Sequence, residues 1–369
     1  MYLLIAFVFH NSLLEAAPPK LMSVGHQIPS QVRVRLFKDL QVFPKFQNNL
    51  ANVRIQKISP QLWSVQGKNL KFQNEVLPYQ SFILQKENHK FDFIVYLDFD
   101  EYLAGVLSKE MPLRWPMEAL KAQAIVARSF TIARMQERLN AFYQLDASQM
   151  DQMFSLTTST KAIQAVLQTQ DQVLTTPQGN ILKAYYHADC GGQTVPASTV
   201  WAQAIDSGTA SDPWCAERKS NQWQLSYSQK EFAKKIAAQL PRSLNEKTEL
   251  IMTGQPKLEL FKEKILNLSL AGRVFSAQKL REILGFSTLK SAPSRIEKKN
   301  GEWIFTGQGY GHGAGLCQWG SLELARRGHD YQKILAHYYP QAVFTQLKLR
   351  LTQNATTNSK TNSLLIGAN

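Results

Sequence analysis

The N-terminal part of the chain alternates between apolar and polar residues in short runs. From Val32 to about Val95 these runs include VRVRLF, NVRIQKI and FDFIVYL, with turn-forming residues between them. Alternation with a period of two is typical of β-strands that bury one face. We therefore predict a β-rich N-terminal domain over residues 31–95.

The periodicity changes to that of helices in the next segment, DFDEYLAGVLSKE. Its apolar residues recur every three or four positions, and Glu110 falls on the same face as Leu107. Pro112 should end this helix, because the residue before a proline is pushed out of the α region. A second helix is predicted from Pro116 through the alanine-rich segment MEALKAQAIVARSFTIARMQERL.

The remainder of the chain mixes short strands and helices. Strand patterns occur in ILKAYYHA, KLELFKEKILNLSLAGRVFS and EWIFTG, whereas residues 159–167, AQKLREILG and two final segments have helical patterns. Ser228 and Glu231 have the spacing of a capping box, which predicts another helix start. We predict an α+β fold in which helices and short antiparallel strands surround a substrate groove, with a catalytic domain over residues 96–345.

The two ends of the chain differ from its middle. Residues 1–17 contain an apolar run followed by small residues, a pattern typical of a signal peptide. A buried first strand or helix is the alternative. Residues 18–30 resemble a linker, and the polar segment 352–369 is predicted to be disordered. A signal peptide implies an extracytoplasmic protein, in the periplasm or the cell wall.

Composition narrows the possible partners. The formal net charge is +14, which favours polyanionic partners such as acidic cell-wall polymers. Lys and Arg are scattered and form no block of the kind found in nucleic-acid-binding arms, so we expect no nucleic acid. The three cysteines are too few for a disulfide scaffold.

Glu110 is the first candidate for chemistry. It lies on the apolar face of its predicted helix and at the C-terminal end, and both features raise the pKa of a carboxyl group. A carboxyl that stays protonated near neutral pH can serve as a general acid. The alternative is a helix-end glutamate that reaches solvent or pairs with Arg114.

Three polar residues lie among Ala, Ile and Val on the second predicted helix. They are Gln123, Arg128 and Ser129. Such side chains could point into a cleft and contact substrate, although positions on an ordinary solvated helix face would also explain them.

A metal site is one interpretation of the segment after ILKAYYHA. His187, Cys190 and Cys215 are residue types that bind zinc, and three protein ligands leave a fourth position open. A disulfide between the two cysteines in an oxidising compartment is an alternative, and buried free thiols are another.

The segment GQGYGHGAGLCQWG has a glycine at every second position. If it were extended, all the glycines would lie on one side and would let a ligand or another backbone approach. Tyr310 and His312 would then lie on the opposite side, with Gln318 beyond them. The segment also matches G-x-G-x-x-A, but a dinucleotide site needs a following βαβ unit, and too little chain remains for one.

Four blocks of the chain together resemble the SpoIID/LytB family of stage II sporulation protein D and amidase-enhancer proteins. They occur in the family's order, within about residues 98–340: DEYLAGVLSKEMPLRWPMEALKAQAIVARSFTIAR, AYYHADCGGQT, GRVFSAQKLREILGF and GQGYGHGAGLCQWGSLELARRGHDYQKILAHYY. The first and the last are the most specific. Cys317 departs from the pattern, because the family has a small polar residue there.

The resemblance implies a lytic transglycosylase that cleaves the MurNAc–GlcNAc bond of peptide-stripped peptidoglycan strands. Glu110 would be the catalytic acid and base, and ring closure to 1,6-anhydroMurNAc would need no second carboxylate, unlike most glycoside hydrolases. Arg128 would complement the lactyl carboxylate of MurNAc. Tyr310, His312 and Gln318 would line the groove.

The resemblance also bears on cofactors and partners. Family members bind zinc through His and Cys residues, so His187, Cys190 and Cys215 become a structural zinc site. Glycan strands and a cell-wall amidase are the expected partners. A non-catalytic wall-binding amidase enhancer is the main alternative function, and a zinc hydrolase that uses metal-bound water is a third.

Overall fold

The computed structural model describes residues 22–24, 30–44, 53–67, 70–72, 75–77, 81–237, 256–270 and 273–347. The predicted signal peptide, residues 1–17, and the predicted tail, residues 352–369, lie outside these ranges. The helices are α1 (Phe99–Glu110), α2 (Met117–Glu137), α3 (Thr160–Gln168), α4 (Pro213–Ala216), α5 (Gln229–Ala237), α6 (Ala277–Leu284), α7 (Gln318–Arg326) and α8 (Tyr331–Tyr338).

The strands are distributed over the whole described chain, so the predicted α+β class is confirmed. They are β1 (Met22–Val24), β2 (Gln31–Leu40), β3 (Arg54–Ser59), β4 (Leu62–Gln66), β5 (Leu70–Phe72), β6 (Glu75–Leu77), β7 (Ser81–Glu87), β8 (Lys90–Asp98), β9 (Leu145–Asp146), β10 (Gln172–Thr175), β11 (Tyr186–His187), β12 (Gln222–Ser228), β13 (Lys257–Phe261), β14 (Lys264–Leu270), β15 (Arg273–Ser276), β16 (Pro293–Lys299), β17 (Glu302–Gln308), β18 (Leu316–Cys317) and β19 (Val343–Leu347).

The N-terminal strands form a six-stranded sheet of order β3-β4-β7-β8-β2-β9. Its long strands pair antiparallel, whereas β9 joins β2 in parallel. The inner face of the sheet and the apolar faces of α1 and α2 share one hydrophobic core, to which Val34, Phe93, Leu103 and Ala124 all contribute. The N-terminal region is therefore strand-rich, as predicted, but it has no separate core that ends at residue 95.

The first two helices begin and end where the sequence predicts. Asp98 caps α1 by accepting hydrogen bonds from the backbone of Asp100 and Glu101, and the chain becomes extended at Met111 before the proline. Helix α2 begins after Pro116 and is buried along most of its 21 residues. Gln123, Arg128 and Ser129 therefore lie inside the protein and not on a solvated face.

A second core lies in residues 222–308, which we call the β-lobe. It contains the antiparallel sheets β12-β17-β16 and β13-β14-β15, together with α5 and α6. Phe232, Leu268, Leu280 and Trp303 pack in its centre. Ser228 and Glu231 form the predicted capping box of α5. The sequence analysis predicted these elements but not their separate core.

A small sheet of order β1-β19-β10 joins distant parts of the chain. Strand β19 pairs antiparallel with β10 and parallel with β1. Residues 22–24, which fall in the predicted linker 18–30, are thus a strand, because β19 offers them a free edge. Among the described residues, no helix combines the length and the apolar character needed to cross a lipid bilayer.

Candidate functional site

Glu110 ends α1 in a pocket built from three other parts of the chain. Its Oε1 accepts a hydrogen bond of 2.8 Å from the backbone nitrogen of Met153 and one of 3.2 Å from the hydroxyl of Tyr186. Gln318, the first residue of α7, also interacts with the carboxyl group. Glu110 as a whole residue keeps partial exposure.

Burial raises the pKa of Glu110 above its usual value, although Met153, Tyr186 and Gln318 oppose this effect by stabilising the charged form. Glu110 forms no salt bridge within the described part of the chain, and Arg114 is exposed. The alternative of a surface glutamate paired with Arg114 is therefore not what the structure shows. The carboxyl group has the environment that a general acid requires.

A buried hydrogen-bond network holds the loop that supplies the Met153 nitrogen. The Oε1 atom of Gln152 accepts hydrogen bonds from the hydroxyls of Tyr102, at 3.1 Å, and Thr131, at 2.8 Å. Gly105 lets the same loop approach α1, since a Cβ atom there would lie 2.8 Å from the carbonyl oxygen of Ser155. Sequence analysis missed this loop, because nothing in its polar, irregular pattern marks it.

The parallel strand pair β11–β18 lies between two polar clusters, the surroundings of Glu110 on one face and a group of cysteines on the other. Tyr186 pairs with Leu316, and His187 pairs with Cys317. Because successive side chains of a strand point to opposite faces, Tyr186 faces the Glu110 pocket while its neighbour His187 faces away from it. His187 instead interacts with Cys317. Two-residue strands thus connect the carboxyl pocket with a group of thiols.

The thiol cluster consists of Cys190, Cys215 and Cys317, all buried and unlinked by disulfides. Their Sγ atoms and a carboxylate oxygen of Asp189 lie within 4.8 Å of one another, and Cys215 and Cys317 are 3.7 Å apart. The predicted ligand set of His187, Cys190 and Cys215 is therefore incomplete, because Cys317 belongs to the cluster. In the sequence, Cys317 stands out only as a departure from the family pattern.

His187 lies beside this cluster and not within it. Its Nδ1 lies 3.1 Å from the carbonyl oxygen of Ala314, and its Nε2 has no hydrogen-bond partner among the described residues. Burial favours the neutral thiol of Cys317, but interactions with Cys190, Cys215 and His187 hold its pKa well below the usual range. Three neighbouring thiols are a donor set that suits Zn²⁺, which replaces thiol protons when it binds.

Arg128 does not line a groove, and the predicted substrate contact is corrected. The residue is completely buried, and its guanidinium group donates hydrogen bonds to the carbonyl oxygens of Val166, Thr169 and Gln172 at 2.7–3.1 Å. These carbonyls lie at the C-terminal end of α3 and just beyond it. Arg128 therefore satisfies backbone groups that the helix end leaves free.

Ser129 and Gln123 are also buried within α2, where no substrate can reach them. The hydroxyl of Ser129 donates to Ile125 and accepts from the backbone of Leu174, so this side chain joins α2 to β10. Neither amide atom of Gln123 has a hydrogen-bond partner within the described residues. The predicted substrate contacts at both positions are corrected to internal positions, because α2 is a central helix.

The glycine-rich loop is not extended, since Gly309 and Gly311 have φ angles of 102° and 118°, in the left-handed region. A Cβ atom at Gly309 would lie 2.6 Å from the carbonyl oxygen of Asp189, and one at Gly311 would lie 2.7 Å from His187. The glycines therefore admit another stretch of backbone, which is one of the two alternatives that the sequence left open. The loop packs directly onto the segment that carries the thiol cluster.

Two of the predicted groove residues lie in this loop. Tyr310 is exposed, and its backbone pairs with that of Asp189. His312 is neutral, because burial lowers its pKa well below the usual value, and its ring interacts with the backbone of Tyr186. The loop thus brings His312 to the strand that supplies the hydroxyl group bound to Glu110.

Comparisons with known proteins identify relatives of this chain. The family model for stage II sporulation protein, SpoIID, matches residues 87–176, a range that includes Glu110 and Met153. An uncharacterized protein of Brachyspira hyodysenteriae is 28% identical over 66% of this chain and 65% of its own length. Stage II sporulation protein D of Bacillus subtilis is 29% identical over 66% of this chain and 73% of its own.

The amidase enhancer of Bacillus subtilis is 27% identical over 66% of this chain and 40% of its own length. The chain thus spans less than two thirds of the Brachyspira protein and of the amidase enhancer. The matched family model and these relatives support the predicted resemblance to the SpoIID/LytB family.

Proposed function

We propose that the protein is a lytic transglycosylase that cleaves the MurNAc–GlcNAc bond of peptide-stripped peptidoglycan strands. The resemblance to stage II sporulation protein D and to the amidase enhancer supports a role related to the cell wall. The observation that supports catalysis is the environment of Glu110, a reachable carboxyl whose pKa is raised by burial. We further propose that the protein acts outside the cytoplasm.

In this reaction one carboxyl group performs both proton transfers. Protonated Glu110 donates to the glycosidic oxygen while the bond from that oxygen to C1 of MurNAc breaks. The Glu110 carboxylate then accepts the proton of the MurNAc 6-hydroxyl as that oxygen bonds to C1, which closes the 1,6-anhydro ring and restores the acid. Met153 and Tyr186 stabilise the carboxylate between the two transfers.

The test is to incubate the purified protein with peptide-free glycan strands and to detect anhydroMurNAc ends by mass spectrometry. We expect Glu110→Gln to lower the rate about 10²–10⁴-fold, the usual contribution of general acid–base catalysis. Glu101→Gln is the matched control, because Glu101 is an exposed acid on the same helix. A Glu110→Gln variant with full activity, or a wild-type protein that yields no anhydro ends, would contradict the proposal.

An amidase enhancer without catalytic activity is the second candidate, supported by the 27% identity to the protein of that name. A cell-wall amidase is then the proposed partner. Adding the protein to an amidase reaction on intact peptidoglycan separates the two functions. Enhancement that is equal for the wild type and Glu110→Gln, without anhydro products, would favour this alternative.

We also propose that Cys190, Cys215 and Cys317 hold a structural Zn²⁺, with Asp189 or His187 beside them as a further donor. The proximity of three buried thiols supports this proposal. Bound Zn²⁺ would tie the segments around residues 190, 215 and 317 together. Because Tyr186 and Gln318 are next to His187 and Cys317 in the chain, the metal would hold the carboxyl pocket in shape.

A further inference from the structure

The loop that supplies the Met153 nitrogen is anchored to the helices on both sides of that residue. Ahead of it, the side chain of Asp151 is only 1% exposed and accepts hydrogen bonds from Arg134 at 2.7 Å and from Arg138 at 2.8 Å. Behind it, Phe154 stacks on the ring of a buried tyrosine of α1, with 5.5 Å between the ring centroids. Ion pairs with α2 and ring packing on α1 thus fix both ends of this short segment.

Gln152 lies between these two anchors and is itself only 1% exposed. Its Oε1 atom accepts hydrogen bonds from the hydroxyls of Tyr102 at 3.1 Å and Thr131 at 2.8 Å, and its Nε2 atom donates to the carbonyl oxygen of Ala127 at 3.5 Å. A buried amide needs such partners, because its polar atoms have lost their contacts with water. Groups on α1 and α2 therefore determine the position of this side chain.

Gln152 is linked to both groups that donate hydrogen bonds to Oε1 of Glu110. It directly precedes Met153, whose backbone nitrogen lies 2.8 Å from that oxygen. Its side chain also interacts with that of Tyr186, whose hydroxyl donates to the same oxygen at 3.2 Å. The interaction with Gln152 favours the ionised phenol, as an N–H donor beside the phenol oxygen does. A phenol that accepts a hydrogen bond from an amide keeps its own proton for Glu110.

The other titratable groups that face Glu110 are phenols. Burial raises the pKa of Tyr102, on α1, and of Tyr186, on β11, well above the usual range, so neither group ionises where Glu110 titrates. Gln318, from α7, carries no charge, and Glu110 forms no salt bridge within the described part of the chain. The pKa of Glu110 therefore depends on burial, which raises it, and on hydrogen-bond donors, which lower it.

We propose that Gln152 is a positioning residue that holds both donors of the Glu110 carboxyl in place for the two proton transfers. This inference rests on the proposed function. One buried side chain thereby aligns two groups from different parts of the chain, a backbone nitrogen of a loop and the hydroxyl of a strand. The carboxylate that forms after the first transfer is stabilised only while these donors point at its oxygen. Because Gln152 is buried, it acts through Met153 and Tyr186 and not by touching substrate.

Titration of the Glu110 carboxyl by NMR tests this role without any need for turnover. The full-length protein is isotope-labelled at the glutamate carboxyl carbons, and Glu110→Gln identifies the signal. Gln152→Met keeps the length of the side chain and removes its amide. We expect it to raise the pKa of Glu110 by about one pH unit, roughly the effect of losing one hydrogen bond to a charged group. The alkaline limb of the kcat/KM profile should move to higher pH by the same amount.

Ser129→Ala is the matched control, because Ser129 is a buried polar residue of α2 that joins this helix to β10. It should lower stability and leave the pKa of Glu110 and the pH profile unchanged. Thr131→Val removes one of the two hydroxyls that hold Gln152, and it provides a second variant if Gln152→Met fails to fold. We expect a smaller rise of the Glu110 pKa in this variant. Thermal melts verify the folding of each protein.

Three outcomes would overturn the inference. The first is a folded Gln152→Met protein in which the pKa of Glu110 is unchanged or lowered. The second is an equal rise in Ser129→Ala, which would assign the effect to general loosening of the fold. The third is a rise of undiminished size when Gln152→Met is added to Tyr186→Phe, since changes that share a donor should combine to less than their sum. The expected rise in a protein that yields no anhydro ends would instead reject the proposed catalysis and leave the positioning role intact.

Discussion

The two faces of the strand pair β11–β18 are both buried and both polar, yet they have opposite chemical requirements. On one face Glu110 interacts with Tyr186 and Gln318, and burial raises its pKa. On the other face the Sγ atoms of Cys190, Cys215 and Cys317 lie within 4.8 Å of one another. Burial disfavours the charged form on both faces.

The consequences of burial differ because the two groups have different tasks. A general acid must carry a proton, so desolvation prepares Glu110 for its role without any further component. A metal ligand must lose its proton, and burial opposes this loss at Cys190, whose pKa is raised well above its usual value. The carboxyl group needs no added ion for its proposed task, whereas the thiols would gain a positive charge beside them if the proposed Zn²⁺ binds.

The largest expected effect comes from removing the Zn²⁺ proposed for the thiol cluster. We expect chelation, or Cys215→Ser, to lower the midpoint of thermal unfolding by roughly 8–15 °C, since metal binding contributes directly to folding stability. Differential scanning fluorimetry with metal analysis measures this effect. Transglycosylase activity measured well below the new midpoint should persist.

Two results would contradict this prediction. A purified protein without metal and with an unchanged midpoint after chelation would leave the thiols as ordinary core residues. Loss of activity on chelation without loss of stability would instead support the zinc hydrolase that the sequence left open.

A smaller effect is expected at Arg128, a buried polar residue that belongs to neither face. Arg128→Met should lower the free energy of unfolding by about 2–4 kcal/mol, because it leaves the carbonyls of Val166, Thr169 and Gln172 without their donors. Urea denaturation measures the change. Arg114→Met is the control at an exposed arginine and should change little.

The folded Arg128→Met protein should keep its KM for glycan strands. A raised KM with unchanged stability would restore the direct substrate contact that the sequence suggested for this residue.

The smallest expected effect concerns Tyr186, which connects the two faces. With Glu110 as the proposed acid, activity should fall as the pH rises through its raised pKa. The Tyr186 hydroxyl stabilises the carboxylate and opposes this rise, so Tyr186→Phe should move the alkaline limb of the pH–rate profile to higher pH. Profiles of kcat/KM for the two proteins measure the displacement.

Folding stability should also decrease as the pH rises through the pKa of Glu110. The folded protein holds the Glu110 proton to higher pH than the unfolded chain does. The contribution of Glu110 to the free energy of unfolding is therefore complete below the unfolded pKa and is lost as the pH rises through the folded pKa. Tyr186→Phe should widen the pH interval between the unfolded and the folded pKa, because it raises the folded pKa of Glu110 further. An alkaline limb that moves to lower pH would show that Tyr186 acts on another group.

The sequence predicted the local elements well because their signals are local. The spacing of Leu107 and Glu110, the proline at 112 and the capping box at Ser228 each act over a single helical turn. It also predicted a raised pKa for Glu110 from one helix face and one helix end, and burial does raise this pKa. The catalytic role of Glu110 stays a prediction. These features do not depend on which distant segment packs against them.

The errors concern residues whose role depends on distant partners. Polar residues on α2 could face either a cleft or the interior, and only the packing of α3 and β10 against α2 decides between them. The pairing of β11 with β18 likewise brings Cys317 to Cys190 across 127 positions of the chain. Helical periodicity and family blocks do not contain this information.

The assembly of the carboxyl pocket also has a consequence for biosynthesis. Glu110 receives its hydrogen bonds from residues 43 and 76 positions later, and Gln318 comes near the end of the described chain. Contacts between such distant segments form slowly, because a long loop must close before they contribute. A nascent chain that ends before α7 lacks part of the pocket, so the ability to cut the wall should arise only when nearly the whole polypeptide has been made and folded.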